Sequence, residues 1–340
     1  MKFSKDTRPQ GVTDKESAQL IAEALPWIKS ITGKTIVIKY GGAAMVDPKL
    51  RADVMADIVL LKTVGVNPVI IHGGGKDISK AMQDAGIPVE FKDGQRVTTE
   101  EGMEIVRTIL AGKVNQELVR ALNEHGNIAV GVNGVDGGTV IAEPASPELG
   151  RVGKIKRING ALLQDLIDDD YIPVIASVAI GNDGGYCNVN ADVMAGQIAA
   201  AVGAAKILFL TDVDGLYLDF DDKDTLVSQL SLEEARGLME GGTLSSGMIP
   251  KLRSCVTALE GGVPSAYIVN GTIPHAILLE MLTMSGVGTA VYSDDDEAST
   301  PTHASIGNFA SKLLENKYGS ATSAVSTSSV DQAGFVSAPA

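Results

Sequence analysis

Lys39 interrupts an otherwise apolar run, "TIVIKY" (35–40), and Gly41-Gly42 follow at once. A lysine inside a buried strand is costly unless its charge is used; a snorkelling edge lysine is the simpler alternative. Gly73, Gly74 and Gly75 end a second apolar run, "PVIIH" (68–72), and open a helical stretch. Glycine costs conformational entropy, so three in a row need a reason. Here backbone N–H groups can approach a ligand closely and a helix N-terminus favours anions; a ligand-free turn is the alternative. "GGYCNVNADVMAGQIAAAVGA" sets Asn188, Asn190 and Asp192 before and within the first turn of another helix, where a lone Asp usually complements the helix dipole. In "GGTLSSGMIPKLRSC", Lys251 follows a Gly/Ser-rich loop and, taken alone, reads as a solvated helix lysine. Two glycine turns and a lysine at carboxyl ends of strands point to polyanion chemistry.

Two familiar phosphate motifs are excluded. Gly33-Lys34-Thr35 ends like a Walker A loop, but position 28 is Ile and the segment enters a strand. No G-x-G-x-x-G starts at Gly73, because position 78 is Ile, which disfavours a dinucleotide site. His72 reads as a turn residue rather than a catalytic base.

Short β-branched runs at 35–40, 68–72, 128–132, 172–178, 207–213 and 266–270 have the continuous apolar character of strands buried on both faces. Helical patterns separate most of them. Asp47-Pro48 reads as a helix start and Gly65 as its stop; residues 76–85 read as a helix ending at Gly86. Thr13-x-x-Glu16, Thr98-x-x-Glu101 and Ser231-x-x-Glu234 read as capping boxes. Alternation of this kind predicts α/β architecture: a mostly parallel sheet with helices on both faces. The chain has 340 residues, is 44% hydrophobic and carries a net charge of −14. That charge is a poor match for nucleic acid or an anionic membrane. Two cysteines, Cys187 and Cys255, give no disulfide framework. With no signal-peptide core and no long apolar span, a soluble cytoplasmic protein is expected.

In order along the chain, "VIKYGG", "VIIHGGG", "GQRVT", "LAGKVNQELV", "GYCNVNAD", "LTDVDGLY" and "SGMIPKL" resemble the amino acid kinase family, from about residue 13 to 291. Each motif is weak alone and strong in company. The resemblance implies a three-layer α/β/α sandwich on a central mostly parallel sheet. Its acceptor lobe would cover 32–185 and its nucleotide lobe 186–291. Within the family, the branch that phosphorylates the side-chain carboxylate of N-acetyl-L-glutamate fits best, giving an acyl phosphate in arginine biosynthesis from ATP with Mg2+. The metal would be held mainly through the phosphates, with no dedicated protein ligands.

Residue by residue, the resemblance puts Lys39 and Lys251 on the transferring phosphoryl group from its two sides, and Asp192 between the two lysines. Gly42 and Gly74 would donate N–H groups to the phosphoryl oxygens. Gly74, Gly75, Arg96, Asn188 and Asn190 would bind the acceptor, with Arg96 clamping a carboxylate. Lys39, Gly41, Gly42, Thr211, Asp212, Gly215, Ser246, Gly247, Met248 and Lys251 would line the nucleotide. Cys187 departs from the aromatic or apolar residue common in the family, which bears on packing beside Asn188.

The ends match the arginine-inhibited branch. An N-terminal extension (1–31) holds an amphipathic helix, with Leu20, Ile21, Ala24, Leu25, Ile28 and Ile31 along one side. In that branch such helices link dimers into a homo-hexamer, a trimer of dimers. A segment at 275–289 would hold arginine through His275, Glu280 and Gly288. Residues 292–340, acidic and then Ser/Thr/Ala-rich, are expected to be a disordered tail.

Overall fold

The computed structural model describes residues 13–293, apart from 46, 93, 220, 242, 243, 245–247, 284 and 285. The expected tail lies, from 294 onward, outside the described residues. The main sheet contains β1 (Thr35–Tyr40), β2 (Asn67–His72), β3 (Ala129–Asn133), β4 (Ile172–Ala176), β5 (Lys206–Thr211), β6 (Gln229–Ser231), β7 (Ser265–Asn270) and β8 (Thr289–Tyr292). They lie in the order β6-β8-β7-β5-β1-β2-β4-β3. The strands from β7 across to β3 are parallel, while β8 runs antiparallel to β7 and carries β6 with it. From β1 the chain winds outward to β2, and it returns on the other side of β1 as β5. Ligands in open α/β sheets bind outside the carboxyl ends of strands at such a switch point.

The helices are α1 (Asp14–Ile31), α2 (Pro48–Thr63), α3 (Gly75–Asp84), α4 (Glu100–Arg107), α5 (Asn115–Asn123), α6 (Ala161–Asp168), α7 (Ala191–Ala201), α8 (Leu232–Glu240), α9 (Ile249–Glu260) and α10 (Ala276–Leu282). The period-2 alternation of β1 decides what each layer sees. Ile36, Ile38 and Tyr40 join a buried cluster with Val54, Met55, Ile58 and Leu61 of α2 and with Leu118 of α5. Val37 and Lys39 therefore face the opposite layer, where α7 packs on β1 and α9 packs on α7. The alternation of one strand thus aims Lys39 toward the first turn of α7. Pro48 and the Asp47 cap, whose carboxylate accepts from the N–H of Lys49 (2.8 Å) and Leu50 (3.1 Å), start α2 where the sequence predicts.

Three local expectations change. The predicted cap Thr98 is one residue early: Thr99 caps α4, accepting from Gly102 N–H at 3.0 Å. Thr98 is instead fully buried, its hydroxyl donating to the Arg96 carbonyl at 2.8 Å. The run 172–178 divides between β4 and a strand, Val178–Gly181, of a second sheet with Tyr186–Asn188, Val140–Pro144 and Gly153–Ile158. The apolar residues of α1 also divide. Ile31 is buried, whereas Leu20, Ile21 and Leu25 are 61%, 70% and 48% exposed.

Candidate active site

Lys39 Nζ lies 2.9 Å from Asp192 Oδ1, with the two side chains 16% and 19% exposed. The ion pair joins β1 to the first turn of α7 and settles the lysine's role in the fold: it is no snorkelling edge residue. Gly41 makes the geometry possible, because a Cβ there would sit 2.9 Å from the ammonium. Gly42 takes a left-handed φ of +71° and opens a 3-10 turn, Gly42–Met45, that the Tyr40 hydroxyl braces by donating to the Ala44 carbonyl at 2.7 Å. The two glycine turns are tied together by Gly73 N–H donating to the Tyr40 carbonyl at 3.3 Å.

The three glycines at 73–75 are not equivalent. A Cβ on Gly74 would stand 2.9 Å from Leu110 Cδ2 and 3.3 Å from Val114 Cγ2, both in a π-helical segment, Thr108–Val114, that continues α4 into α5. A Cβ on Gly75 would meet nothing within 4 Å, and one on Gly73 only an ordinary contact with Ala191. Gly74 is therefore fixed by packing, and Gly75 guards empty space at the start of α3. That helix has no side-chain cap, so its first N–H groups remain available to an anion. Gly74→Ala should cost about 1–3 kcal/mol of stability by overpacking. Gly75→Ala should leave the melting temperature within a few degrees and reduce acceptor binding. Thermal denaturation and acceptor titration of the two variants check this.

His72 is fully buried at the end of β2, and burial pulls its pKa down to about 4. It is therefore neutral, and it is not the turn residue the sequence suggests but the last residue of β2, in register with Tyr40 and Ala176. A folded-state pKa below the unfolded value near 6.5 means that stability is intact above that value and falls as pH drops toward about 4. The loss from His72 should be about 3 kcal/mol, read as the difference in acid sensitivity between wild type and His72→Gln in denaturant titrations.

Arg96 ends the short strand Gln95–Arg96 and is 7% exposed. Its Nη2 donates to the Gly75 carbonyl (2.9 Å) and to Ser79 Oγ (2.8 Å), and its guanidinium stacks on the Phe91 ring with the centroid at 4.7 Å. Among the described residues it has no carboxylate partner, and desolvation lowers its pKa. It lines one cavity of ≈ 220 Å³ with Lys39, Gly74, Gly75, Asn188, Asn190 and Asp192. Asn188 donates to Thr98 Oγ1 at 3.1 Å. Asn190 caps α7, its Oδ1 accepting from Asp192 N–H (2.8 Å) and Val193 N–H (3.2 Å), which leaves its amide NH2 for the cavity. Cys187 is buried on the other side of its strand, 4.0 Å from Arg151 Nη2. Arg151 is a structural brace the sequence does not announce: it pairs with Asp183 at 2.7 Å, and its carbonyl accepts from Asn188 N–H at 2.9 Å.

On the far side of β1, Thr211 ends β5 and Asp212 follows it, exposed. Gly215 proves to be a packing glycine, since a Cβ would lie 2.5 Å from Thr289 Oγ1. The turn is held by residues the sequence reading passes over: Asp214 accepts from Asn270 Nδ2 and from the Tyr217 hydroxyl, each at 2.7 Å. Ser246 and Gly247 lie outside the described residues. Met248 is buried at the start of α9, and Lys251 stands in that helix's first turn. Among the described residues Asp192 forms its ion pair with Lys39 and none with Lys251.

His275, Glu280 and Gly288 are not among the residues that line this cavity. His275 precedes α10 with a left-handed φ of +56°, and its Nδ1 is 2.7 Å from Oδ1 of the buried Asp57 of α2. Glu280 Oε2 accepts from the N–H groups of Val287 (2.7 Å) and Gly288 (3.0 Å), and burial raises its pKa. Gly288 is fixed by packing, a Cβ falling 2.2 Å from the Ile268 carbonyl. Glu280 and Gly288 are thus in contact, while His275 turns toward α2.

Comparison with known proteins bears on the family and the fold. Residues 34–270 fit the model of the amino acid kinase family. The chain is 49% identical over 284 residues to the acetylglutamate kinase of Caldanaerobacter subterraneus, covering 82% of this chain and 95% of that protein. It is 46% identical over 284 residues to that of Corynebacterium glutamicum, covering 82% and 89%. Among solved structures, N-acetylglutamate synthase of Neisseria gonorrhoeae, complexed with coenzyme A and N-acetyl-glutamate, superposes with a TM-score of 0.73 at 26% identity, over 88% of this chain and 70% of that one. Carbamate kinase of Giardia lamblia, at 15% identity and a TM-score of 0.58 over 77% of this chain and 99% of that one, shares the fold. With the switch-point site, the glycine turns and the Lys39–Asp192 pair in place, the chain belongs to the amino acid kinase family, among its acetylglutamate kinases.

Proposed function

We propose that the chain transfers the γ-phosphoryl group of ATP to the side-chain carboxylate of N-acetyl-L-glutamate, forming N-acetyl-L-glutamyl 5-phosphate for arginine biosynthesis in the cytoplasm. The observation that carries this reading is Arg96, a nearly buried guanidinium with no carboxylate partner among the described residues, facing the glycine-lined cavity. A buried cation of that kind calls for an anionic ligand. The acceptor's α-carboxylate would sit on Arg96 and its acetamido group near the amides of Asn188 and Asn190. The side-chain carboxylate then points toward Gly74 and Lys39.

A carboxylate is already a nucleophile, so no general base is required, and the obstacle is repulsion between it and the triphosphate. Catalysis is then positioning and charge neutralisation. Asp192 holds the Lys39 ammonium over Gly41, where it meets the transferring group. The N–H groups of Gly42 and Gly74 donate to its oxygens. Lys251, at the start of α9, reaches it from the nucleotide lobe, 186–291, opposite the acceptor lobe, 32–185. Thr211, Asp212 and the stretch Ser246, Gly247 and Met248 receive the nucleotide. Around the glycine turns the described residues offer ammonium and N–H donors and the Asp192 carboxylate, already paired with Lys39, a donor set that suits Mg2+ held by phosphate oxygens, where it would neutralise developing charge. ADP release measured with N-acetylglutamate, aspartate, glutamate and UMP tests the assignment. Release should require N-acetylglutamate; turnover with another acceptor instead, or none, overturns it.

Feedback by arginine is the second reading, favoured by Glu280. Its carboxylate is buried beside Lys206 and joined to the 287–288 backbone, a place where a cationic ligand would compete for it. An N-acetylglutamate synthase complexed with L-arginine, 25% identical with a TM-score of 0.69, lends support. The apolar residues that α1 exposes, Leu20, Ile21, Leu25 and Trp27, suit contact with a second copy in a homo-hexamer. Replacing Leu20, Ile21 and Leu25 with Glu should reduce hexamers to dimers and weaken arginine inhibition while catalysis persists. Glu280→Gln should weaken arginine with little change in substrate KM. Sedimentation and arginine titration check both, and a triple variant that stays hexameric and fully sensitive contradicts them.

A further inference from the structure

We propose that His72 and Asn115 are positioning residues: together they set the peptide between Gly73 and Gly74 so that Gly74 N–H faces the phosphoryl-binding cavity. This rests on the reading of the site given above. Neither residue reaches the cavity; His72 is fully buried and Asn115 is 2% exposed. His72 Nδ1 is 3.0 Å from the Gly73 carbonyl, which can only accept, so Nδ1 carries the proton and donates. Asn115 Nδ2 donates to the Val174 carbonyl at 2.8 Å, which identifies that atom as the amide nitrogen. The same nitrogen lies 3.0 Å from His72 Nε2, which therefore accepts. Every partner is consistent with a single tautomer, and both ring nitrogens are used.

The fold makes room for this network. Asn115 enters α5 directly from the π-helical segment Thr108–Val114, a rare geometry often found at functional sites. Opposite it on β3, a Cβ at Gly131 would fall 2.1 Å from Asn115 Oδ1. An apolar pair would fill this volume without the cost of burying two polar side chains. What the polar pair adds is direction. Among the described residues no peptide bond is cis, so the Gly73 carbonyl and the Gly74 N–H point opposite ways from one planar unit. Holding the carbonyl inward on His72 aims the N–H outward, and that N–H has no acceptor among the described residues.

The test uses the full chain, with kcat and KM measured well below each variant's melting temperature. An Asn amide can replace Nδ1 and a Gln amide Nε2. His72→Gln should lower kcat by about tenfold to a hundredfold with KM for ATP within about twofold. His72→Asn, which still donates to Gly73, should retain about ten times the kcat of His72→Gln. Asn115→Asp keeps the shape but reverses the donor, and should behave like His72→Gln. Equal kcat in His72→Asn and His72→Gln, or wild-type kcat in all three, overturns the proposal. Loss of a limb of the kcat–pH profile in His72→Asn would instead make His72 a proton-transfer group and also overturns it. Should the variants not fold, 15N NMR of histidine-labelled wild type near pH 7 decides: the Nδ1–H tautomer is expected for His72, and the Nε2–H tautomer refutes it. That measurement stands whether or not N-acetylglutamate proves to be the acceptor.

Discussion

Lys39→Ala lowers kcat by about two to three orders of magnitude, comparable to removing an oxyanion donor, with a smaller change in KM for N-acetylglutamate. The lysine's charge is aimed by Asp192 at 2.9 Å, and Gly41, with no Cβ, leaves room for the ammonium beside it. It meets the phosphoryl group most strongly when charge spreads over the equatorial oxygens, so the loss falls on turnover. The same substitution strands the Asp192 carboxylate, 19% exposed, and costs about 1–3 kcal/mol of stability. Adding Asp192→Asn should restore most of that stability and none of the activity, separating the structural part of the ion pair from the chemical part. Lys251→Ala should lose turnover to a similar extent with little effect on stability, since Lys251 has no ion-pair partner among the described residues. Steady-state kinetics and thermal denaturation of these variants check the assignment, and near-wild-type turnover in either lysine variant contradicts it.

Arg96→Lys raises KM for N-acetylglutamate by about tenfold to a hundredfold, the worth of a two-point charged contact, and leaves KM for ATP nearly unchanged. The guanidinium already spends Nη2 on the Gly75 carbonyl and Ser79 while stacking on Phe91, so its plane is fixed before any ligand arrives. An ammonium can reach one of these partners but cannot hold a plane. A selective loss of ATP affinity would move Arg96 to the other half of the site.

The parts of the site legible in the sequence are those where a residue type contradicts its surroundings. A lysine in an apolar strand and glycines at a strand end both signal a use, and Lys39, Asp192, Gly74, Arg96 and Asn188 do meet around one cavity. Why each position must be glycine is not legible, because Gly74, Gly215 and Gly288 are hemmed in by residues distant in sequence: Leu110, Thr289 and Ile268. Asn190 could be read as a substrate amide but not as the cap of α7, which depends on where the helix starts. Thr98 and Thr99 compete for one cap, and the isolated parallel bridge that Thr98 makes to Gly150 decides between them. Alternation foretold the parallel strands β1 to β5 and β7 but not the reversal of β6 and β8, since edge direction follows from connections and not from local pattern. Arg151, Asp214 and Asn270 look like ordinary surface polar residues until tertiary contacts give them partners.

The claim that this site makes an acyl phosphate is tested most directly by trapping the product. With ATP, N-acetylglutamate and hydroxylamine, the chain should form the γ-hydroxamate of N-acetylglutamate in step with ADP, and both should vanish together in Lys39→Ala. ADP release without hydroxamate, or hydroxamate formed from aspartate in preference to N-acetylglutamate, would contradict it.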